Sequence, residues 1–304
     1  MDLRQLSALL AVADHGSFSA AARALHTVQS NVSTHVARLE RELGVTLVDR
    51  AAGALTAEGQ AVAERARRVR AELDALASDV ASMHDEVSGA ARIGMIGTTG
   101  RWLAPHLLDA LDVSHPKIQL IIVDATTTSL LPQLSRGELD LAVVNLPTDD
   151  PDVTEDLLFD EDRMVVAPLD HPLAAEEELT LAQLADHDLL LAAKGTAFRT
   201  ELDADADAAG VELRSKAEVD GMRLVASLAF QGYGAAILPA SATPGWLEAA
   251  GAWKRIPVKG LTRRSVGLAQ RRRGLPSAPA RAVIDVLRDV VQEQAPLQPG
   301  IHPA

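Results

Sequence analysis

The sequence predicts a chain of three parts: a small helical domain, one long helix, and an α/β region divided into two subdomains. Three observations predict this organisation. Short helical segments with capping residues fill the first sixty positions, an apolar residue then recurs at alternating spacings of four and three, and strands alternate with helices from Ala90 onward. A length of 304 residues fits two or three compact units.

The composition narrows the functional classes. A hydrophobic content of 47% with 23% charged residues is ordinary for a globular protein with a sizeable core. No run of about eighteen uncharged apolar residues appears, and the amphipathic start differs from a signal peptide, so we expect a cytoplasmic protein. The absence of cysteine excludes disulfides, thiolate metal sites and thiol-based redox sensing. Because no hydrolase elbow, phosphate loop or zinc-protease motif is present, we expect no enzyme, no metal site and no cofactor.

The charge is unevenly distributed along the chain. The first seventy residues hold nine arginines, no lysine and seven acidic residues, a net charge of +2, whereas the remainder carries −15. The acidity therefore lies in the C-terminal three-quarters. A nucleic-acid-binding surface at the N-terminus is electrostatically permitted.

Three short helices are predicted at the N-terminus. Asp2 can cap the first, which Gly16 ends, and Ser17 can cap the second. The third begins near Gln29 or Ser30. The apolar positions expected to face the core are Leu3, Leu6, Leu10 and Ala13 in the first helix, and Val32, Val36, Leu39 and Leu43 in the third.

The free face of the third helix is polar and short-chained. Ser30, Thr34, Ala37 and Arg41 lie on this face, and Asn31 and Arg38 lie beside them. Their hydroxyl, guanidinium and amide groups can bond base edges and phosphates, and two short helices joined by a turn are typical of a helix-turn-helix. The alternative on spacing alone is a three-helix packing unit whose polar face meets water.

The segment FSAAARALHTVQSNVSTHVARLERELGVTLVDR, followed by LTAEG, resembles the N-terminal signature of LysR-type transcriptional regulators. The resemblance implies an all-α winged helix-turn-helix domain at residues 1–58. Together with the polar face it predicts these DNA contacts: Ser17, Gln29, Ser30, Asn31, Ser33, Thr34, Arg38, Arg50 and Thr56. Two departures are Val48, where the family usually has Phe, and the short, weakly charged wing RAAGALT.

A heptad pattern follows Gly59. Apolar residues alternate spacings of four and three for more than three heptads, which predicts a helix that pairs with a second copy; the alternative is a helix lying on its own domain. Pairing would present two recognition helices to successive major grooves. The resemblance implies that residues 59–89 are the linker helix of a dimer. Dimers in the family commonly pair into tetramers, so self-association to a dimer or to a tetramer is expected. The predicted dimer contacts are Val62, Val69, Leu73, Leu76, Val80 and Met83.

From Ala90 the predicted strands are ARIGMIG, IQLIIVDA, LDLAVVN, RMVVAP, DLLLAA, AEVD, AAILP and SVGLAQ, with helices between them. This alternation predicts parallel strands with crossover helices. The two subdomains are expected to be joined by crossings near Asp162–Arg163 and Gly267–Ala269.

Polar side chains follow several of these strands. Because such sheets bind ligands beyond the carboxyl ends of their strands, a cleft for an anionic or polar molecule is predicted there. The alternative for any single threonine is ordinary helix capping.

LSRGELDLAVV, DEDRMVVAPLDHPL and VASLAFQGYGAAILP look like segments of the LysR-type effector domain, which is built like a periplasmic binding protein. The resemblance implies an α/β effector-binding domain at 90–292, with subdomains 90–162 plus 268–292 and 163–267, and a flexible tail at 293–304. The implied effector contacts are Thr98, Thr99, Thr128, Asn145, Thr196 and Phe198.

The resulting hypothesis is a sequence-specific regulator of transcription controlled by a small molecule. Its expected partners are double-stranded promoter DNA, an effector for which an organic anion is one candidate class, a second copy of the chain, and RNA polymerase. The alternative is a soluble small-molecule-binding protein without a transcriptional role.

Overall fold

A computed structural model describes residues 1–82, 86–243 and 252–304. The chain divides into two compact units, Met1–Ala81 with Ser135–Glu138, and Ser82–Leu134 with Leu139–Ala304. Within the described residues, no helix is both long and apolar enough to cross a membrane.

The first unit consists of four helices and a short hairpin among its described elements. Asp2 forms a capping box with Gln5 at the first helix, Ser17 caps the second, and Gly16 and Gly44 end helices with φ values of 68° and 72°. The elements are α1 (Leu3–His15), α2 (Phe18–Ala24), α3 (Gln29–Leu43), β1 (Val48–Asp49), β2 (Ala54–Leu55) and α4 (Ala57–Ser82).

Two expectations for this unit are corrected. Because β1 and β2 pair as an antiparallel hairpin, the domain is not all-α. The buried face of α1 is also wider than the predicted one: Leu10 is buried as expected, Leu9 and Val12 are buried beside it, and only Leu3, among the predicted leucines, is exposed, by 51%. The cause is that α1 packs against both α2 and α3, so its contact surface is wider than one narrow stripe.

Gly59 allows α4 to begin against the backbone of the wing. A Cβ atom at this position would fall on the carbonyl oxygen of Leu47. Thr56 completes the junction, since its hydroxyl donates to Thr46 O (2.8 Å) and accepts from Gly59 N (2.9 Å). The spacing of Leu-Thr-x-x-Gly is thus explained by two contacts: the threonine caps the start of α4, and the glycine lets α4 approach the backbone of Leu47 closely.

The second unit contains two six-stranded sheets. The first has the order β14-β6-β13-β5-β3-β4, in which β3 is parallel to β4 and β5 while β13 is antiparallel to β5 and β6. Its strands are β3 (Gly89–Met95), β4 (Ile118–Asp124), β5 (Leu141–Leu146), β6 (Val153–Glu161), β13 (Arg264–Arg271) and β14 (Ile301–Pro303). The helices of this subdomain are α5 (Gly97–Ser114), α6 (Thr127–Arg136) and α10 (Ala278–Gln294).

The second sheet has the order β10-β9-β11-β7-β12-β8. Here β7 runs antiparallel to both β11 and β12. Its strands are β7 (Arg163–Pro168), β8 (Leu179–Thr180), β9 (Asp188–Ala192), β10 (Arg214–Val219), β11 (Ala236–Pro239) and β12 (Trp253–Lys259). The helices are α7 (Leu181–Ala185), α8 (Ala197–Ala208) and α9 (Met222–Phe230).

Within the described residues, the chain passes between the subdomains twice. The first crossing is at Asp162, between β6 and β7. The second lies between β12 and β13, at residues 260–263, so the expected crossing at Gly267–Ala269 is wrong. Those residues form the buried middle of β13, where they pair with β5 and β6.

The prediction of a flexible tail at 293–304 is also wrong. α10 continues to Gln294, and β14 pairs with β6. Ile301 is buried, and the Nε2 of Gln298 donates to Ala240 O (3.2 Å) and Thr243 O (2.8 Å). Since β6 belongs to the first subdomain and Ala240 to the second, this segment is bonded to both.

Candidate functional site

The recognition helix α3 presents the polar face expected from its sequence. Ser30, Thr34 and Arg38 are exposed, opposite the buried Val32, Val36 and Leu39. Gln29 and Asn31 are exposed as well, but each is bonded within the unit. Gln29 Oε1 accepts from the Ser19 hydroxyl (3.2 Å), and Asn31 Nδ2 donates to the Thr27 hydroxyl (3.0 Å).

Arg50 is held at the edge of this face. Its Nη1 donates to Ser33 Oγ (3.1 Å), its Nη2 lies 3.4 Å from Glu40 Oε2, and its guanidinium carbon lies 5.4 Å from the centroid of the Phe18 ring. Glu40 in turn accepts from the backbone N–H groups of residues 47 and 48. One carboxylate therefore ties the recognition helix to both the wing and Arg50.

Ser17 and Thr56 have structural roles. The Ser17 hydroxyl accepts from Ala20 N (3.2 Å) at the start of α2. The Thr56 hydroxyl is fully used at the start of α4, as described above. Both residues were predicted as DNA contacts, and in the structure each makes a capping bond at the start of a helix.

An exposed apolar row runs along α4. Val69, Leu73, Leu76 and Val80 are all exposed, Leu76 by 62%. Val62, at the start of the predicted row, packs instead against the core of the first unit. Met83 lies outside the described residues.

In the second unit, polar groups meet at the carboxyl ends of β3, β4 and β5, which are neighbours in the sheet. Thr98 and Thr99 are buried in the first turn of α5, which begins at Gly97 rather than after the threonines. Among the residues that the structure describes, Thr99 Oγ1 is a buried hydroxyl with no hydrogen-bond partner. An orphaned buried polar atom of this kind is characteristic of a site that a ligand or water completes.

The neighbouring strands add further groups at this edge. Thr128 is exposed and its hydroxyl lies 3.0 Å from that of Thr126, while Thr127 Oγ1 accepts from Asn145 N (3.1 Å). Asn145 Oδ1, like the Thr99 hydroxyl, is a buried atom without a partner in the described part of the chain.

The two predicted contacts from the second subdomain differ. Thr196 is the N-cap of α8, accepting from Arg199 N (3.3 Å) and donating to Ala193 O (2.8 Å). Phe198 is buried in the core of this subdomain, with the guanidinium of Arg264 5.0 Å from its ring centroid. The role of Phe198 as an effector contact stays a prediction, and its ring also packs in this core.

Sequence reasoning missed a charged group at the same sheet edge. Asp124, the last residue of β4, forms an ion pair with Arg223 at the start of α9, in the other subdomain. A Cβ atom on Gly97 would lie 3.0 Å from Arg223 Nε and 3.1 Å from Asp124 Oδ1. The position of Asp124 at the end of a predicted strand could have indicated that it lies at this edge. Arg223 lies in no motif, so there was no such indication for it.

Comparison with protein families agrees with this architecture. Residues 3–60 match the bacterial regulatory helix-turn-helix protein family of the lysR type, and residues 84–292 match the LysR substrate-binding domain. The chain therefore belongs to the LysR family. It is a DNA-binding transcriptional regulator with an effector-binding domain.

Individual relatives are similar over nearly the whole chain. The DNA-binding transcriptional dual regulator OxyR of Escherichia coli K12 is 30% identical over 294 residues, covering 96% of this chain and 95% of that protein. A probable hydrogen peroxide-inducible genes activator of Streptomyces viridosporus is 34% identical over 243 residues, covering 79% and 78%. The solved structure of a full-length OxyR variant from Pseudomonas aeruginosa is 29% identical, with a TM-score of 0.76 and coverage of 96% and 95%.

Proposed function

We propose that this chain acts as a dimer in which two α3 helices read promoter DNA and an effector held between the C-terminal subdomains controls that binding. The observation that carries the proposal is the coexistence of an exposed polar face on α3 with an exposed apolar row on α4. The first can contact bases and phosphates, and the second needs a partner.

For DNA, the contacting set is Ser30, Thr34 and Arg38 on the open face of α3, with Arg50 at its edge. Serine and threonine hydroxyls can bond base edges, while arginine can bond a base or neutralise a phosphate. Gln29 and Asn31 can join them by exchanging their internal bonds for bonds to DNA. The small number of cations predicts weak non-specific binding and a modest dependence on salt.

For self-association, the contacts are Val69, Leu73, Leu76 and Val80, which are exposed at heptad spacing. Burying such a row against its copy removes apolar surface from water in proportion to its area. The pair would hold two recognition helices roughly one turn of DNA apart, about 34–36 Å. Pairing of dimers into tetramers is part of the same proposal.

The effector would occupy the edge formed by β3, β4 and β5, between subdomains built like those of a periplasmic binding protein. The buried, unpartnered Thr99 Oγ1 and Asn145 Oδ1 support this location. Although several relatives are named as peroxide-inducible activators, the 304 residues contain no cysteine. A reversibly bound molecule, not thiol oxidation, is therefore the proposed signal.

The proposed coupling is a change in the angle between the subdomains, transmitted to the arrangement of dimers and so to the spacing of DNA contacts. An effector can drive it only by binding one arrangement more tightly than the other. Regulation of transcription in this scheme includes contact with RNA polymerase. A protein that binds a small molecule without a transcriptional role would leave both exposed faces without a purpose.

The test combines sedimentation with DNA binding. We expect Leu73→Asp to dissociate the dimer, because it places a charge in the apolar row. It should also lower the affinity for a DNA duplex taken from the region upstream of the gene that encodes this chain. Ala81→Asp, at an exposed position of α4 outside the apolar row, is the matched control and should sediment like the parent. If Leu73→Asp keeps the parental mass and affinity, the apolar row is not a dimer contact. Hydrogen peroxide should leave the affinity unchanged.

A further inference from the structure

Two contacts join the subdomains beside the proposed effector edge. Asp124 ends β4 of the first subdomain and pairs with Arg223 on α9 of the second. Arg101 on α5 lies over the ring of Phe230 on α9, with 5.9 Å between its guanidinium carbon and the ring centroid. Both contacts bridge the first subdomain to α9, so both must rearrange when the subdomain angle changes.

The ion pair lies directly at the carboxyl ends of the parallel strands. Gly97 follows β3, and a side chain on it would meet both partners of the pair at about 3 Å. Because Thr98 and Thr99 come next in the chain, the pair stands at the first turn of α5. Anions are favoured at this position by the helix dipole and by unsatisfied amide groups.

Two guanidiniums lie near each other at this place. Burial and, to a smaller extent, the positive charge of Arg223 lower the pKa of Arg101. Asp124 is the carboxylate that pairs with Arg223. The side chains of Arg223 and Asp124 are 58% and 38% exposed, so their pair is solvated and contributes little to stability.

From this arrangement we infer that Arg223 is the residue that selects an anionic effector. An effector carboxylate replaces Asp124 on Arg223, with the positive charge of Arg101 nearby. Asp124 is the internal competitor: it occupies Arg223 and links the subdomains until the effector arrives. The inference rests on the proposed function, which it refines by naming the effector class, a small organic carboxylate.

Exchange of one carboxylate for another is chemically balanced, because the guanidinium keeps its charge and a carboxylate partner. The released Asp124, whose side chain is already 38% exposed, is then hydrated. The link between subdomains is thereby transferred from a side chain to the ligand. This gives the ligand a differential affinity for the two subdomain arrangements, as any population shift requires.

The experiment uses the full chain and matched pairs of probes: benzoate, hexanoate and succinate against their uncharged amides, with thermal stabilisation as the first readout. We expect at least one carboxylate to stabilise the parent while its amide does not. Asp124→Asn should bind that carboxylate several-fold more tightly because the competitor is lost. Arg223→Gln should bind it at least tenfold more weakly, and Arg223→Lys should retain part of the binding.

Asp188→Asn and Arg214→Gln are the controls, since they alter an exposed aspartate–arginine pair at the amino ends of β9 and β10. The inference is overturned if no carboxylate stabilises the parent or Asp124→Asn, if amides act equally, or if Arg223→Gln binds like the parent. Circular dichroism verifies that each variant is folded. Duplex binding is measured in parallel. A parent chain that does not bind the duplex contradicts the proposed function itself. A parent chain that binds the duplex but does not select carboxylates contradicts only this inference.

Discussion

Ser33 Oγ accepts a hydrogen bond from Arg50 Nη1 at 3.1 Å, linking the recognition helix to the residue that follows β1. Arg50 is also held by Glu40 and lies over the Phe18 ring. Ser33 therefore positions an arginine, in addition to any contact with DNA. This relationship separates two kinds of residue on α3: those that face outward, such as Thr34, and those that orient a neighbour.

We expect Thr34→Ala to weaken binding to the specific duplex by about 1–3 kcal/mol through loss of a base contact. Ser33→Ala should instead be coupled to Arg50→Ala, with an interaction energy of about 0.5–3 kcal/mol in a double-mutant cycle. Fluorescence anisotropy with specific and random duplexes measures both. Strictly additive effects of Ser33→Ala and Arg50→Ala would show that Ser33 acts independently of Arg50.

Gly59→Ala should destabilise the first unit, because the added Cβ atom falls on the carbonyl oxygen of Leu47 and forces α4 away from the wing. The cost of such overpacking is about 1–3 kcal/mol. Urea unfolding checks it, with Gln60→Ala at the next, exposed position as the control. If the two variants have equal urea midpoints of unfolding, α4 can shift without a loss of stability.

Gln298→Ala should destabilise the second unit by about 1–3 kcal/mol, because a buried amide that bonds two carbonyl groups is removed. Faster amide hydrogen exchange is expected in both residues 240–243 and β14. Leu297→Ala, at an exposed neighbouring position, is the control. Unchanged hydrogen exchange at residues 240–243 would mean that the hydrogen bonds of Gln298 do not hold the C-terminal segment to the second subdomain.

Glu161 is expected to make the stability of the second unit depend on pH. Burial raises its pKa above the ordinary value of 4.5, an effect that the nearby Arg264 and the bond from Ser241 N only partly oppose. A carboxyl whose pKa is raised by folding stabilises the protein at low pH and loses that contribution as the pH rises through the folded pKa.

We therefore expect the free energy of unfolding of Glu161→Gln to exceed that of the parent increasingly as the pH rises from 4.5 through the raised pKa of Glu161. Urea titrations over this range measure the difference between the two chains. Glu212→Gln, at an exposed position, should follow the parent. A constant difference between Glu161→Gln and the parent would mean that Glu161 keeps its ordinary pKa.

Much of the candidate site was predictable because it depends on local pattern. The polar face of α3 follows from the spacing of Val32, Val36 and Leu39, and the threonines at the effector edge follow from their position after strands. The wing was expected only from the family resemblance, because two-residue strands have no periodicity that the residues alone could show. Strands β6 and β12 were missed because VTEDLLFDE and WKRIPVK are too charged to read as buried strands; they pair antiparallel to neighbours distant in sequence.

The amino-acid sequence by itself determined where the first three helices begin and end, that α3 has one polar and one apolar face, and that no thiol chemistry is available. These properties depend on residue identity and on residues a few positions apart. Only the tertiary structure decided that Ser33 holds Arg50, that residues 295–303 join the two subdomains, and that Asp124 meets Arg223 at Gly97. The physical reason is the same in each case. A hydrogen bond or ion pair between residues far apart in the chain exists only when the packed elements bring its two atoms within about 3 Å.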